Sequence, residues 1–238
     1  MKQPTYLLDS HAKTLNTTVT HVRDPTHIVL EDTIFYAQGG GQPSDTGALV
    51  RASDGKEFRV VMVKKEAGHL VHEVAQPGLA HGDAIMCSID WERRHKLMRM
   101  HTAAHILCAI INKHTGALIT GNQLDVEKSR IDFNIENYSQ ERVEHYVAEA
   151  NAEIAKGAPV TISFMKRDAA MGLPHLVKLA HALPPEIEEL RIVKIGTIDE
   201  QADGGTHVND AKEVGTIKML SLENKGKNNR RLYFTVEP

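Results

Sequence analysis

Over the first 90 residues, apolar and polar positions change over in short runs. Those at 17–22, 27–30, 58–63 and 69–74 have strand character, and turn signals separate them at Asp24-Pro25, Gly39-Gly40-Gly41, Asp54-Gly55 and Gly78. This pattern predicts a small antiparallel barrel. From Asp90 the period lengthens: Leu97, Met100, Ala104, Leu107, Cys108 and Ile111 recur at helical spacing and predict one long helix over 91–115, stopped by Gly116. Further on, the pattern predicts a strand at 130–135 and a helix capped by Ser139 that runs to about Lys156. Strands follow at 159–164 and 189–195, with a shorter helix at 167–179 interrupted by Gly172 and Pro174. Residues 214–222 and 231–236 flank a polar turn at 223–229 and read as a hairpin. The fold class is therefore α+β, with a β-barrel-like domain over 1–90 and an α+β domain over 91–238.

Composition narrows the class but not the partner. A chain of 238 residues with 41% hydrophobic and 25% charged content is ordinary for a soluble globular protein, and no stretch approaches the roughly 18 apolar residues of a membrane span. The first residues lack the apolar core and cleavage site of a secretory signal, so a cytoplasmic location without membrane attachment is expected. The two cysteines, Cys87 and Cys108, suggest neither a disulfide framework nor a zinc ribbon. A net charge of -3 makes no global case for nucleic acid, so any such case rests on local clusters.

The chemistry-bearing residues are histidines. His101 and His105 stand four apart in the long helix, on one face, where they can grip one ion. With 14 histidines in the chain, a pair at this spacing is expected by chance, so spacing alone decides nothing. The second element is Asp203-Gly204-Gly205-Thr206-His207, after a strand expected to run to about residue 198. Its paired glycines allow a tight turn that brings Asp203 and His207 to one point. The absence of glutamate between His101 and His105 argues against a metalloprotease of the HExxH type. Cys108 continues the helical stripe, but seven helical residues span about 10 Å, too far for one ion, and it reads as a buried core thiol.

Together these motifs resemble the editing domain of alanyl-tRNA synthetases and the free-standing AlaX trans-editing proteins, which pair an HxxxH helix with a CGGTHV-like segment. Gly39-Gly40-Gly41-Gln42-Pro43 also matches the glycine-rich motif of that family's N-terminal domain, and the length resembles its medium-sized form. The resemblance implies a two-layer α+β editing domain of the threonyl/alanyl-tRNA synthetase second additional domain type. It implies one zinc per chain, held by His101, His105 and His207, and a substrate pocket that includes Gly41, Gln42, Thr102 and Thr206. The implied reaction is deacylation of mischarged tRNA(Ala), with seryl-tRNA(Ala) as substrate and glycyl-tRNA(Ala) beside it. The protein is expected to act as a monomer or weak dimer.

Two departures mark this chain. Asp203 stands where many members have a cysteine ligand, and either binds zinc directly or orients a bound water; Gln201 is a weaker candidate. Ala104 stands where synthetases often have threonine, which leaves Thr102 as the only hydroxyl inside the motif and the ranking of serine and glycine open. With three protein ligands, zinc would keep a position for substrate or for a water of pKa near about 7.

For RNA, Arg93, Arg94, Lys96 and Arg99 form a basic cluster at the start of the long helix, within two turns of the proposed ligands, where acceptor-end phosphates need neutralising. A second cluster, Lys225, Lys227, Arg230 and Arg231, reads as a solvated turn, and His69, His72, His81 and His175 as surface or structural residues. Two other readings stay open. One is a zinc-dependent hydrolase of small esters; the other is a non-catalytic RNA-binding module with a structural zinc.

Overall fold

The structure of the protein, a computed structural model, describes residues 3–135, 139–173, 176, 188–226 and 229–238, and its class is α+β. Contacts divide the chain into Met1–Lys96 and Leu97–Pro238, a division that falls inside the long helix α2 (Trp91–Thr115).

The first unit holds a short helix α1 (Thr5–Leu8) and six strands: β1 (Thr14–Asp24), β2 (His27–Leu30), β3 (Gly47–Arg51), β4 (Glu57–Glu66), β5 (His69–Val74) and β6 (Ala84–Ile89). They close into an antiparallel barrel in the order β1-β2-β5-β4-β3-β6 around Val19, Ile28, Leu49, Phe58 and Val63. Closure leaves no strand edge exposed for stray pairing. Local pattern misses β3 and β6. The first is short and opens on glycine, and the second is held by pairing on both sides, Cys87 lying opposite Leu15 of β1 and Leu49 of β3.

The glycine triplet makes a tight turn in the connection from β2 to β3. Gly40 and Gly41 have φ of +56° and +85°, and the backbones of Gly39 and Gln42 exchange hydrogen bonds of 3.1 and 2.8 Å across them. Two successive left-handed residues are the geometry of a two-residue hairpin turn, which glycine adopts without strain. Gly41 is exposed, whereas Gln42 is buried.

Arg94 corrects the sequence reading. Instead of facing solvent among the RNA-binding cations, it is fully buried in the first unit. Its Nε donates to both Asp45 oxygens at 3.0 Å, Nη1 to the Ser10 carbonyl at 2.7 Å and Nη2 to the Ile34 carbonyl at 2.6 Å; Nη2 also pairs with Asp45. Asp45 in turn accepts from the Tyr36 amide at 2.6 Å. A buried guanidinium is tolerable only with such a set of partners, and without exposed surface it cannot meet a phosphate from solvent.

In the second unit, α2 is buried all round over 100–108, not along a single stripe. A helix hydrophobic on every side is an interior helix, so His101 and His105 point into protein, not water. Next come β7 (Ile119–Gln123), β8 (Ser129–Phe133) and α3 (Gln140–Lys156), whose first turn is capped by Ser139 accepting from the Arg142 amide. After them stand β9 (Val160–Lys166), α4 (Arg167–Met171), β10 (Glu189–Ile195), β11 (Asp199–Ala202), a 3-10 turn at Ala211–Val214, β12 (Thr216–Asn224) and β13 (Arg230–Glu237). Two antiparallel sheets result, β11-β10-β9 and β12-β13-β8-β7.

The helix expected over 167–179 ends at Met171; positions 174–175 and 177–179 lie outside the described residues, as do His175 and Lys227. The strand expected at 189–195 is β10, but it does not run on to residue 198. Gly196, at φ +49°, turns the chain after Ile195, and Asp199–Ala202 pairs back on β10. That reversal delivers the Asp203 loop. Cys87 and Cys108 are both buried, and among the described residues no helix is long and apolar enough to cross a membrane.

Candidate metal centre

His101 and His105 come from successive turns of α2, and Asp203 and His207 from the loop that leaves β11. The four side chains each bring one ligand atom, and these atoms all lie within 4.8 Å of one another. The imidazole centroids are 5.0 Å apart for His101 and His105, 4.4 Å for His101 and His207, and 4.7 Å for His105 and His207. His207 Nε2 is 3.1 Å from Asp203 Oδ2, and His101 Nε2 is 3.6 Å from Asp203 Oδ1. Ligands at about 2.0–2.1 Å around a tetrahedral ion sit about 3.3 Å from each other, a value that the His207–Asp203 and His101–Asp203 separations bracket, so the donor set could hold a metal ion of zinc's chemistry.

Three of the four donors, His207, His105 and Asp203, are held from behind. Thr102 Oγ1 is 3.1 Å from His207 Nδ1, which leaves Nε2 as the nitrogen that faces the other ligands. Thr102 is therefore committed to orienting His207, and it also accepts from the Val208 amide at 3.4 Å. Asp199 Oδ2 lies 3.0 Å from His105 Nδ1, and Gln201 Nε2 donates to the same carboxylate at 2.8 Å. Gln201 thus sits behind His105 and does not belong to the donor set. Arg191 Nη1 donates to the Asp203 carbonyl at 2.9 Å and stands 3.9 Å from its carboxylate.

The loop geometry also differs from expectation. Neither Gly204 nor Gly205 has a positive φ, so left-handed backbone is not what this pair supplies. Gly205 supplies room: a Cβ there would lie 2.0 Å from His101 Cε1 and 2.3 Å from His101 Nδ1. Around Gly204 there is nothing within 4 Å. The Gly205 amide donates to Asp203 Oδ2 at 2.6 Å, which turns the carboxylate into the loop's interior. Thr206 is fully buried between Gly205 and His207.

Burial holds His101 well below the ordinary imidazole value and His207 down at about 4. Both rings are therefore neutral near pH 7, with a lone pair available for a cation. At Asp203 burial favours the neutral acid, but His101 and a hydrogen bond with His207 outweigh it and hold the carboxyl well below its ordinary value. The result is two neutral imidazoles, His101 and His207, and one carboxylate converging with His105 on a point.

The other sequence-derived candidates are not among the four donors. Gly41 and Gln42 belong to the first unit. Arg93 is half-buried, with Nη2 donating to the Ser44 carbonyl at 3.3 Å. Arg99 is anchored to the carbonyls of Val214 and Glu237, and only Lys96 of that cluster is fully exposed. In the last hairpin, Arg231 pairs with Asp132 at 2.7 Å and Arg230 is buried against the turn carbonyls of Gly226 and Asn229. Sequence reasoning missed Asp199 and Arg191. The signal for Asp199 is period two: residues 199, 201 and 203 share one side of an extended segment, and both Asp199 and Gln201 are buried.

Comparison with known proteins gives this arrangement its class. Residues 6–93 match the family model for tRNA synthetases class II (A), and residues 190–233 match the threonyl and alanyl tRNA synthetase second additional domain. The barrel and the β10 to β13 region are thus both synthetase-related. The chain is 44% identical to the alanyl-tRNA editing protein AlaX-M of Methanosarcina barkeri, with 99% of each chain covered. It is 41% identical to AlaX-M of Saccharolobus solfataricus over the full length of both. The alanine–tRNA ligase of Pyrobaculum calidifontis is 36% identical over 97% of this chain, which corresponds to 26% of the ligase. The chain belongs to the AlaX-M family of alanyl-tRNA editing proteins.

Proposed function

We propose that this protein is an aminoacyl-tRNA deacylase acting in trans on mischarged tRNA(Ala), with Ser-tRNA(Ala) as its main substrate and Gly-tRNA(Ala) as a second. The observation that carries the reading is the convergence of His101, His105, His207 and Asp203 in a chain related over its whole length to editing proteins. One zinc ion per chain would be held by these four residues, and when bound it supplies a Lewis acid for the ester carbonyl. The chain's own contribution is orientation. Thr102 fixes the ring of His207, the Gly205 amide fixes Asp203, and burial keeps His101 and His207 unprotonated. Asp203 is the most accessible of the four, its side chain 19% exposed against 9% or less for the histidines, so a substrate approaches on its side.

Gly41 and Gln42 are assigned to the substrate by resemblance alone, and full deacylation by a Gln42→Ala variant would defeat that assignment. Lys96 is the exposed cation of the basic cluster and is assigned to the tRNA acceptor end, with a cytoplasmic location following from such a substrate.

The test is deacylation of Ser-, Gly- and Ala-tRNA(Ala) by the wild type and by His101→Ala. The expected result is hydrolysis of the seryl and glycyl species, persistence of the alanyl species, and loss of activity in the variant. Equal hydrolysis of all three by the wild type contradicts an editing role. Convergence of four donors also favours a second reading, an RNA-binding module with a closed structural zinc. A metal spectrum without an exchangeable position, together with no deacylation, would establish that reading instead.

A further inference from the structure

We propose that Asp199 is a positioning residue of the metal centre, which selects the nitrogen that His105 offers to the ion and sets the strength of that bond. The inference rests on the metal-binding reading of the His101, His105, His207 and Asp203 group, and extends it to a residue outside that group.

Three observations carry it. Asp199 Oδ2 and Gln201 Nε2 lie 3.0 and 2.8 Å from His105 Nδ1; the carboxylate can only accept, so a neutral His105 that donates to it keeps its proton on Nδ1 and turns the Nε2 lone pair toward the other ligands. The carboxylate is itself steered, because Gln201 Nε2 donates to the same oxygen at 2.8 Å. Both side chains are buried, so water does not screen the interaction. The residues stand two apart on β11, a strand set by pairing with β10 as Val193 to Gln201 and Ile195 to Asp199. A short strand thus aims two polar side chains at the back of one imidazole.

The chemical consequence is electrostatic as well as geometric. A carboxylate that accepts the far proton of an imidazole makes its near nitrogen a stronger donor to a cation, and partners of this kind typically contribute 10–100-fold in metal affinity. Thr102 behind His207 is a neutral counterpart, so the two histidines are held by groups of different charge. Asp199 also offsets charge. A divalent ion with Asp203 and Arg191 alone would leave a buried excess of two positive charges, which Asp199 reduces to one.

The experiment measures zinc affinity by competition with a chromophoric chelator, for the full chain and for Asp199→Asn, Asp199→Ala and His101→Ala. Thermal melting of each metal-free protein is recorded alongside. Asp199→Asn keeps shape and one acceptor while removing the charge. The expected result is zinc binding about 10-fold weaker for Asp199→Asn and up to about 100-fold weaker for Asp199→Ala. A smaller reduction than for Asp199→Ala is expected for Gln201→Ala, which loses the steering of Asp199 and a neutral contact 2.8 Å from His105 Nδ1 but no charge. In zinc-loaded wild type, nitrogen-correlated NMR of the imidazoles is expected to show the His105 proton on Nδ1. Zinc affinity unchanged in a folded Asp199→Asn, or the proton on Nε2, overturns the proposal while leaving the metal centre intact. Wild type and His101→Ala binding zinc equally poorly would overturn the metal centre itself, and this inference with it.

Discussion

Replacing Gly205 by alanine is the sharpest test of how the metal centre is built. The new Cβ would lie 2.0 Å from His101 Cε1 and 2.3 Å from Nδ1, against an ordinary contact of about 3.4 Å, so ring and loop must separate by about 1.4 Å. Bonds to a bound metal tolerate about 0.2 Å, and the ring has no free side to retreat to, because His101 sits in the continuously buried part of α2. Overpacking of this kind costs about 1–3 kcal/mol of stability. The larger effect falls on the site: zinc affinity should drop by at least about 100-fold, the upper end of what losing a supporting group costs, because here a ligand itself is displaced. Gly204→Ala is the matched control, since nothing lies within 4 Å of its Cβ position, and it should bind zinc as the wild type does. Zinc titration of both variants by chelator competition, with denaturant unfolding for stability, separates the two costs. Wild-type zinc affinity in Gly205→Ala would refute the reasoning, by showing that the loop yields without disturbing His101.

Other consequences follow from charge and burial. Arg94→Ala should cost about 3–5 kcal/mol in urea unfolding, because it strands the buried Asp45 carboxylate. Lys96→Ala should leave stability within about 0.5 kcal/mol, but should weaken tRNA binding and reduce its salt slope by about one. Binding at low salt that does not change would remove Lys96 from the RNA-contacting face. Burial holds His72 at about 4 against an unfolded value near 6.5. Above pH 6.5 its contribution to stability is complete. As pH falls from 6.5 toward 4 the unfolded chain takes up the proton first, so stability should decline by about 3 kcal/mol in total. Urea midpoints of wild type and His72→Gln, compared between pH 7 and 4, check this; parallel losses in the two proteins would exclude His72 as the cause.

The sequence by itself determined the periods and the chemistry. Strand-like runs before residue 90, a helix over 91–115, a Ser139 cap, and four metal-capable side chains could all be read from residues near one another in the chain. Those features depend on local backbone preference and on ligand type. What only the tertiary structure decided is which face each side chain meets. Arg94 looked like a surface cation because its partners, Asp45, Ser10 and Ile34, come from distant parts of the chain. Thr102 was legible only as the one hydroxyl inside the helical motif, and folding is what placed His207 at it. Asp199 and Arg191 were missed because their roles arise from the hairpin at Gly196, which pairs β11 back on β10 and puts Asp199 behind His105 and the Asp203 carbonyl at Arg191. Even the glycines changed meaning, from conformational freedom to the space Gly205 leaves for His101. Hydrogen bonds and steric contacts act through distances in space, and residues about 100 positions apart acquire such distances only when the chain has folded.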